Sequence, residues 1–202
     1  MVRKIKRGKI INRVRPKSDR AKLRESGDWP LLECLVSETW QEPVAITQMM
    51  IARRSPKGEI AIGVFLIDLG CLGMKDAFGR IVPSRRAYRQ EVKRLSTHQE
   101  MVRIDLDLAA KIIQEAIAYA RELGFEPHRD YHQAKHVIGD AHPENCATPI
   151  PLGKDGKPFY FAGPYDDVDR IMKTLTRKLG LDGFTYVVPL SEDVEFFQPN
   201  DG

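Results

Sequence analysis

The chain has 202 residues, 42% of them hydrophobic and 30% charged, a balance that excludes both an intrinsically disordered polymer and a membrane-embedded bundle. The longest apolar run, residues 60–67, is far too short to cross a bilayer as a helix. Three widely spaced cysteines (Cys34, Cys71 and Cys146) make an odd set with no C-x-x-C pair, which excludes a disulfide framework and points to a cytoplasmic location.

The net charge of +4 conceals a division. Residues 1–25 hold eleven Lys/Arg and two acids, a net of +9, which leaves the rest of the chain at −5. The basic start lacks the apolar segment of a secretory signal, although residues 1–18, Arg-rich and free of acids, also suit an organellar transit peptide. Like charges repel here and few apolar side chains are available to offset ordering entropy, so residues 1–27 are expected to form a flexible, extended arm. Residues 28–190 then form a single domain, and residues 191–202 a short acidic tail.

The body begins with a strand at 31–36, followed by strands at 44–53 and 59–69 joined by a turn at Ser55-Pro56-Lys57-Gly58. The third of these is apolar on both faces and belongs at the centre of a sheet. Ser84 after Pro83 caps a basic helix that runs to Leu95. Asp105 or Asp107 caps the best helix of the chain, whose stripe of Ala109, Ile112, Ile113, Ala116, Ile117, Ala120 and Leu123 is stopped by Gly124. A third helix is expected between Pro127 and Gly139. A turn at 154–157 leads into a strand at 159–162, Asp166 or Asp167 caps a helix ended by Gly180, and a last strand covers 184–188. The order βββ-ααα-ββ-α-β, without regular βαβ alternation, predicts an α+β fold: a central antiparallel or mixed sheet with helices packed on it.

Three groups of residues carry candidate chemistry. His128, His132 and His136, spaced by four, share one side of the third helix. Asp140, His142 or Cys146 stand close enough in sequence to complete a divalent metal site with His132 and His136. That side lies away from the apolar face of Ala134, Val137 and Ile138, so a solvated histidine face is the competing reading, and no cofactor is expected. The second group is Asp68, Cys71, Lys75 and Asp76, where a carboxylate leaves the central strand beside Gly70 and Gly73. Lys75 and Asp76 suit acid/base or anion-binding work, against the plainer reading that Asp68 accepts turn hydrogen bonds and Cys71 packs in the core. A nucleophilic triad of Cys71, His128 and Asp130 is a further arrangement, with nothing in the spacing to favour it. The run Gly153-Lys-Asp-Gly156-Lys157 is not a P-loop, because the spacing fails and Pro158 stands in the Ser/Thr place.

The third group is the basic one. Arg3, Lys4, Lys6, Arg7, Lys9, Arg13, Arg15 and Lys17 alternate with Gly8, Asn12 and Pro16, which suits a segment lying along a phosphate backbone. The helix surface at Arg85, Arg86 and Arg89 extends the footprint. Few aromatics interleave, so stacking on single-stranded bases is disfavoured.

The segment from Gly63 through Ile67-Asp68-Leu-Gly-Cys71-Leu-Gly-Met-Lys75-Asp76 resembles an uncharacterised bacterial family with a V-D-x-x-C-L-G-x-K-D-like motif. His128-Arg-Asp130-Tyr131 and the turn Gly153–Pro158 resemble two further motifs of that family. The resemblance spans about residues 31–188. It implies a bacterial origin and a single domain and brings no activity. The sequence thus favours a nucleic-acid-associated protein. A metal-dependent hydrolase or nuclease built on Asp68 and Asp76 or on the histidines is the first alternative, and a subunit of a larger protein or ribonucleoprotein assembly the second.

Overall fold

Apolar residues on both sides of one strand force a layered arrangement, because each face must be covered. The computed structural model describes residues 17–42, 46–97 and 99–188. At its centre is a five-stranded sheet of β1 (Leu31–Ser37), β2 (Ile46–Arg54), β3 (Ile60–Asp68), β4 (Gly73–Val82) and β5 (Met101–Ile104). The order is β4-β3-β2-β1-β5, and every neighbouring pair is antiparallel. The fold is α+β.

On β3 alternate residues serve opposite faces. Ala61, Phe65 and Ile67 meet α3 (Leu106–Leu123) and its buried Ile112, Ile113 and Ala116. Ile60, Ile62 and Val64 meet Tyr88 of α2 (Arg85–Leu95) on the other side. Both helices start and stop where the sequence indicates: Ser84 accepts from the Ala87 amide, Asp105 occupies the cap of α3, and Gly124 ends it at φ +97°.

Glycine decides one close approach. Gly63 and Gly79 face each other across β3 and β4, and above them lie α4 (Tyr131–Ala134) and the 3-10 turn Lys135–Ile138. A Cβ on Gly63 would stand 2.6 Å from Val137 Cγ2, and one on Gly79 3.2 Å from Ala134 Cα. The missing side chains let the helical backbone rest on the sheet.

A second, smaller cluster forms beyond the β3–β4 turn. There α5 (Val168–Leu179), capped by Asp167, packs Ile171 and Leu175 against Cys71, Leu72, Leu123 and Tyr160. Two short parallel strands, β6 (Phe159–Phe161) and β7 (Thr185–Val187), form a separate sheet beside them. Phe159 N–H donates to Gly70 O at 3.0 Å and Gly153 N–H to Leu69 O at 2.8 Å, tying this unit to the turn.

The structure departs from the sequence reading in four places. The expected extended arm does not reach residue 27: Asp19–Glu25 is a helix, α1, with Leu23 in the main core. Its N-terminus is capped by Ser18, and Lys22 holds Glu59 at 2.6 Å, so local capping and one apolar anchor overcome the charge. Two strands, β4 and β5, went unread because Gly73, Lys75, Asp76 and Gly79 interrupt the alternation of one and β5 is only four residues long. The third helix is one α-turn followed by 3-10 geometry, not a continuous α-helix. The strand at 159–162 pairs with the last strand in its own sheet, outside the main one. Among the described residues, no helix is long and apolar enough to cross a membrane.

Candidate nucleic-acid interface

The helix of highest net charge among the described residues is α2. Pro83 and Ser84 start it, and Ala87, Tyr88, Val92 and Leu95 turn toward the sheet. This spacing leaves Arg85, Arg86, Arg89, Lys93 and Arg94 exposed on the outer side. Glu91, the helix's one acid, is engaged by Arg80 from β4 and lies 3.8 Å from Arg94. Among the described residues, Arg85, Arg86, Arg89 and Lys93 make no ion pair.

Between α2 and the β1–β5 edge lies a groove of about 520 Å³, lined by Leu32, Leu35, Val92 and Met101 and by Arg85, Arg89 and Arg103. Glu33 also reaches it, but its carboxylate is fully occupied. Tyr88 donates its hydroxyl to Oε1 at 2.6 Å, and Arg103 approaches Oε2 at 2.6 Å. Burial, and then the Glu33 carboxylate, push the Tyr88 phenol well above its ordinary range, so it stays a neutral donor. With Glu33 neutralised by Arg103, the uncompensated charge of the groove is that of Arg85 and Arg89. The arrangement can hold anionic groups against an apolar floor.

Of the arm residues, Arg3, Lys4, Lys6, Arg7, Lys9, Arg13 and Arg15 lie outside the described residues. Lys17 is described, and its ammonium contacts Glu25 Oε2 at 2.6 Å across α1. Both ends of that pair are exposed, so water and salt screen it and a phosphate can displace it.

The Asp68 group is brought together, though not as an acid/base site. Asp68 is buried, and its Oδ1 accepts from the amides of Gly70 at 2.7 Å and Cys71 at 3.1 Å. Burial raises its pKa, opposed by those two amides and by Lys75. Lys75 pairs not with Asp76 but with Asp166, at 2.8 Å and nearly out of solvent. Asp166 also accepts from the Gly163 amide at 2.9 Å and the Tyr160 hydroxyl at 3.3 Å. Asp166, expected only as an alternative to Asp167 for the helix cap, and Tyr160 escaped the sequence reading as site residues, since 91 positions separate the ion pair and only the docking of the loop before α5 brings them together. Asp76 is exposed and stands 3.3 Å from His128 Nδ1.

Cys71 does not join a triad. It is fully buried beside Tyr160 and Leu175, and burial pushes its thiol far above the ordinary range. His128 faces Asp76, and Asp130 caps α4 with its carbonyl, which accepts from the amides of Gln133 and Ala134 at 3.0 Å. Nor do the histidines share one helix side: His128 precedes α4, His132 lies on its single turn, and His136 lies in the 3-10 turn.

Asp140 is taken by Arg53, at 2.7 Å. That buried guanidinium also donates to the carbonyls of Trp29, Val137 and Ile138 at 2.7–2.9 Å, closing the open end of the 3-10 turn. His142 contacts Glu144 at 3.0 Å, and its backbone amide donates to Asp107. Among the described residues, no three His, Cys, Asp or Glu side chains are grouped to hold a metal ion. Set against known proteins, the chain matches no family model, no curated protein and no solved structure.

Proposed function

We propose that the protein associates with nucleic acid through phosphate contacts that carry no base specificity. Arg85, Arg86 and Arg89 of α2 form the folded part of the footprint, and the basic residues from Arg3 to Lys17 form the rest. The observation that supports this reading most is the outer side of α2, where four cations stand exposed without an acidic partner among the described residues. Such a surface is costly to leave bare beside neighbouring like charges and gains affinity by releasing counterions from a phosphate backbone. A rigid helix adds register to the arm's reach, and phosphate contacts of this kind fix position without reading sequence. Asp68 is committed to turn amides and Lys75 to Asp166, so these two residues add no support to the hydrolase alternative.

The test is the salt dependence of binding to mixed RNA and DNA. Three proteins are compared: the full chain, a chain beginning at Lys17, and the full chain with Arg85→Gln, Arg86→Gln and Arg89→Gln. Truncation at Lys17 leaves α1 and Leu23 in place. Each lost phosphate contact lowers the log–log salt slope by about 0.9 on duplex DNA and about 0.7 on single strands. The triple variant is expected to lose about 2–3 from the duplex slope and the truncated chain more. Absence of binding by the full chain at low salt overturns the proposal, as does a slope that neither change alters.

A further inference from the structure

A second basic recess lies on the opposite face of the sheet from α2, where α1 meets α4. It encloses about 540 Å³ and is lined by Arg24, Asp28, Tyr131, Lys135, His136 and Asp140, with Gly27 and Gly139 among them. Its floor is bare backbone. A Cβ on Gly139 would stand 2.5 Å from Gly27 O, and one on Gly27 3.0 Å from His136 O. Arg53 holds this floor from beneath through Ile138 O and the Asp140 carboxylate, so Asp140 is already neutralised.

The remaining charges are Arg24 and Lys135, both exposed and without an ion pair among the described residues, against Asp28 alone. His136 is half-buried between them. Its pKa is lowered by burial first and then by the repulsion of Lys135 and Arg24. Three nitrogen-bearing side chains from two separate elements therefore line the recess, with Asp28 as its one carboxylate not held by a cation among the described residues.

We infer that this recess is a phosphate-binding site, in which Arg24 and Lys135 hold the anion and His136 donates to it. The volume suits a phosphate carrying an attached sugar, and Tyr131 supplies an aromatic wall. The source is a free phosphate ester or the backbone of a polynucleotide, and the two are separable by experiment. A phosphate seated here replaces repulsion by attraction around His136, so the protonated imidazole is favoured and a weak donor becomes a charged one. Tyr131, Asp28 and Asp140 are the other titratable groups that line the recess. Asp28 opposes the anion.

The experiment follows the imidazole resonances of the full chain by NMR across pH, with His136 assigned through His136→Gln. Inorganic phosphate and a short mixed-sequence RNA are added separately. The expected result is a shift of the His136 resonances and an upward move of its titration midpoint. That response disappears in the Arg24→Gln, Lys135→Gln double variant and appears at lower ligand concentration in Asp28→Asn. A response to both probes assigns a free phosphate ester as sufficient; a response to RNA alone assigns the polynucleotide backbone. A His136 signal unmoved by either probe overturns the inference, and so does an equal response in the double variant. Because the readout is local to His136 and not total RNA affinity, it stands or falls separately from binding at α2.

Discussion

Replacing Leu23 by Ala tests whether the basic N-terminal region ends in a tail or in a piece of the core. Leu23 is 1% exposed, and its two methyl groups lie over the flat spot made by Gly79, where a built Cβ would be 3.4 Å from each. The substitution removes three carbons at about 0.8 kcal/mol each and leaves a cavity that the sheet cannot close. Together these amount to about 3 kcal/mol. For a domain of this size the melting temperature should fall by about 6–12 °C, taking about 2–4 °C per kcal/mol. Urea denaturation followed by far-UV circular dichroism measures the free energy directly, with the chain beginning at Lys17 as the control. A cost below about 1 kcal/mol for Leu23→Ala would refute the packing argument and return α1 to the arm.

Arg53→Met should destabilise the chain by about 3 kcal/mol, because it strands three carbonyls and one carboxylate that a buried guanidinium now satisfies; a urea midpoint within error of the parent would count against that role. Thiol titration should find Cys146 reactive in the native protein, with Cys34 and Cys71 reacting only after unfolding. Burial pushes the Cys34 thiol up to about 12 and Cys71 higher still, whereas Cys146 is half-buried. Rapid labelling of more than one native thiol would contradict this. Asp68→Asn keeps the oxygen that accepts the Gly70 and Cys71 amides and removes the buried charge. Its folded pKa is raised, so the ionised carboxylate costs stability above the unfolded value of about 3.9, and no such cost exists below it. The variant should therefore gain on the parent as pH rises through that range and match it at lower pH. Urea midpoints from pH 3 to 8 decide it, and a variant less stable at neutral pH would show that the charge itself is needed.

The parts of the fold legible in the sequence were those where one residue type decides alone. Ser84 and Gly124 set helix ends because a side-chain oxygen and a left-handed φ are local requirements. The alternating core of β3 declared itself because both faces are covered. β4 did not, since Gly79 sits where a helix must approach and Lys75 answers a partner 91 residues away. Their reasons are tertiary, and the local pattern shows only an interruption. α1 was hidden for a related reason. A count of charges sees the basic residues and misses that Leu23 needs one apolar contact, under a cap at Ser18, to fix seven residues.

The same distinction separates the candidate sites. Histidine spacing suggested a shared helix side, yet one α-turn followed by 3-10 geometry rotates His136 away from the phase that a 3.6-residue period assigns. His136 lines the recess together with Arg24, which belongs to α1 and not to an extended arm. The Asp68 carboxylate, by contrast, was a chemical candidate only while its turn was unfolded in the imagination; two amides and a docked loop consume it. What survives folding as available chemistry is positive charge on both sides of the sheet: the α2 side chains on one and the α1–α4 recess on the other. Helix α1 packs against the edge strand β4, whereas the groove beside Arg85 and Arg89 opens toward β5 at the other edge of the sheet. A single polyanion long enough to reach both faces of the sheet would touch Arg89 and Arg24 together. In that case the separate losses of the α2 and Arg24 cations multiply in the affinity of that one ligand, whereas with two independently occupied sites either loss alone leaves binding at the other site unchanged.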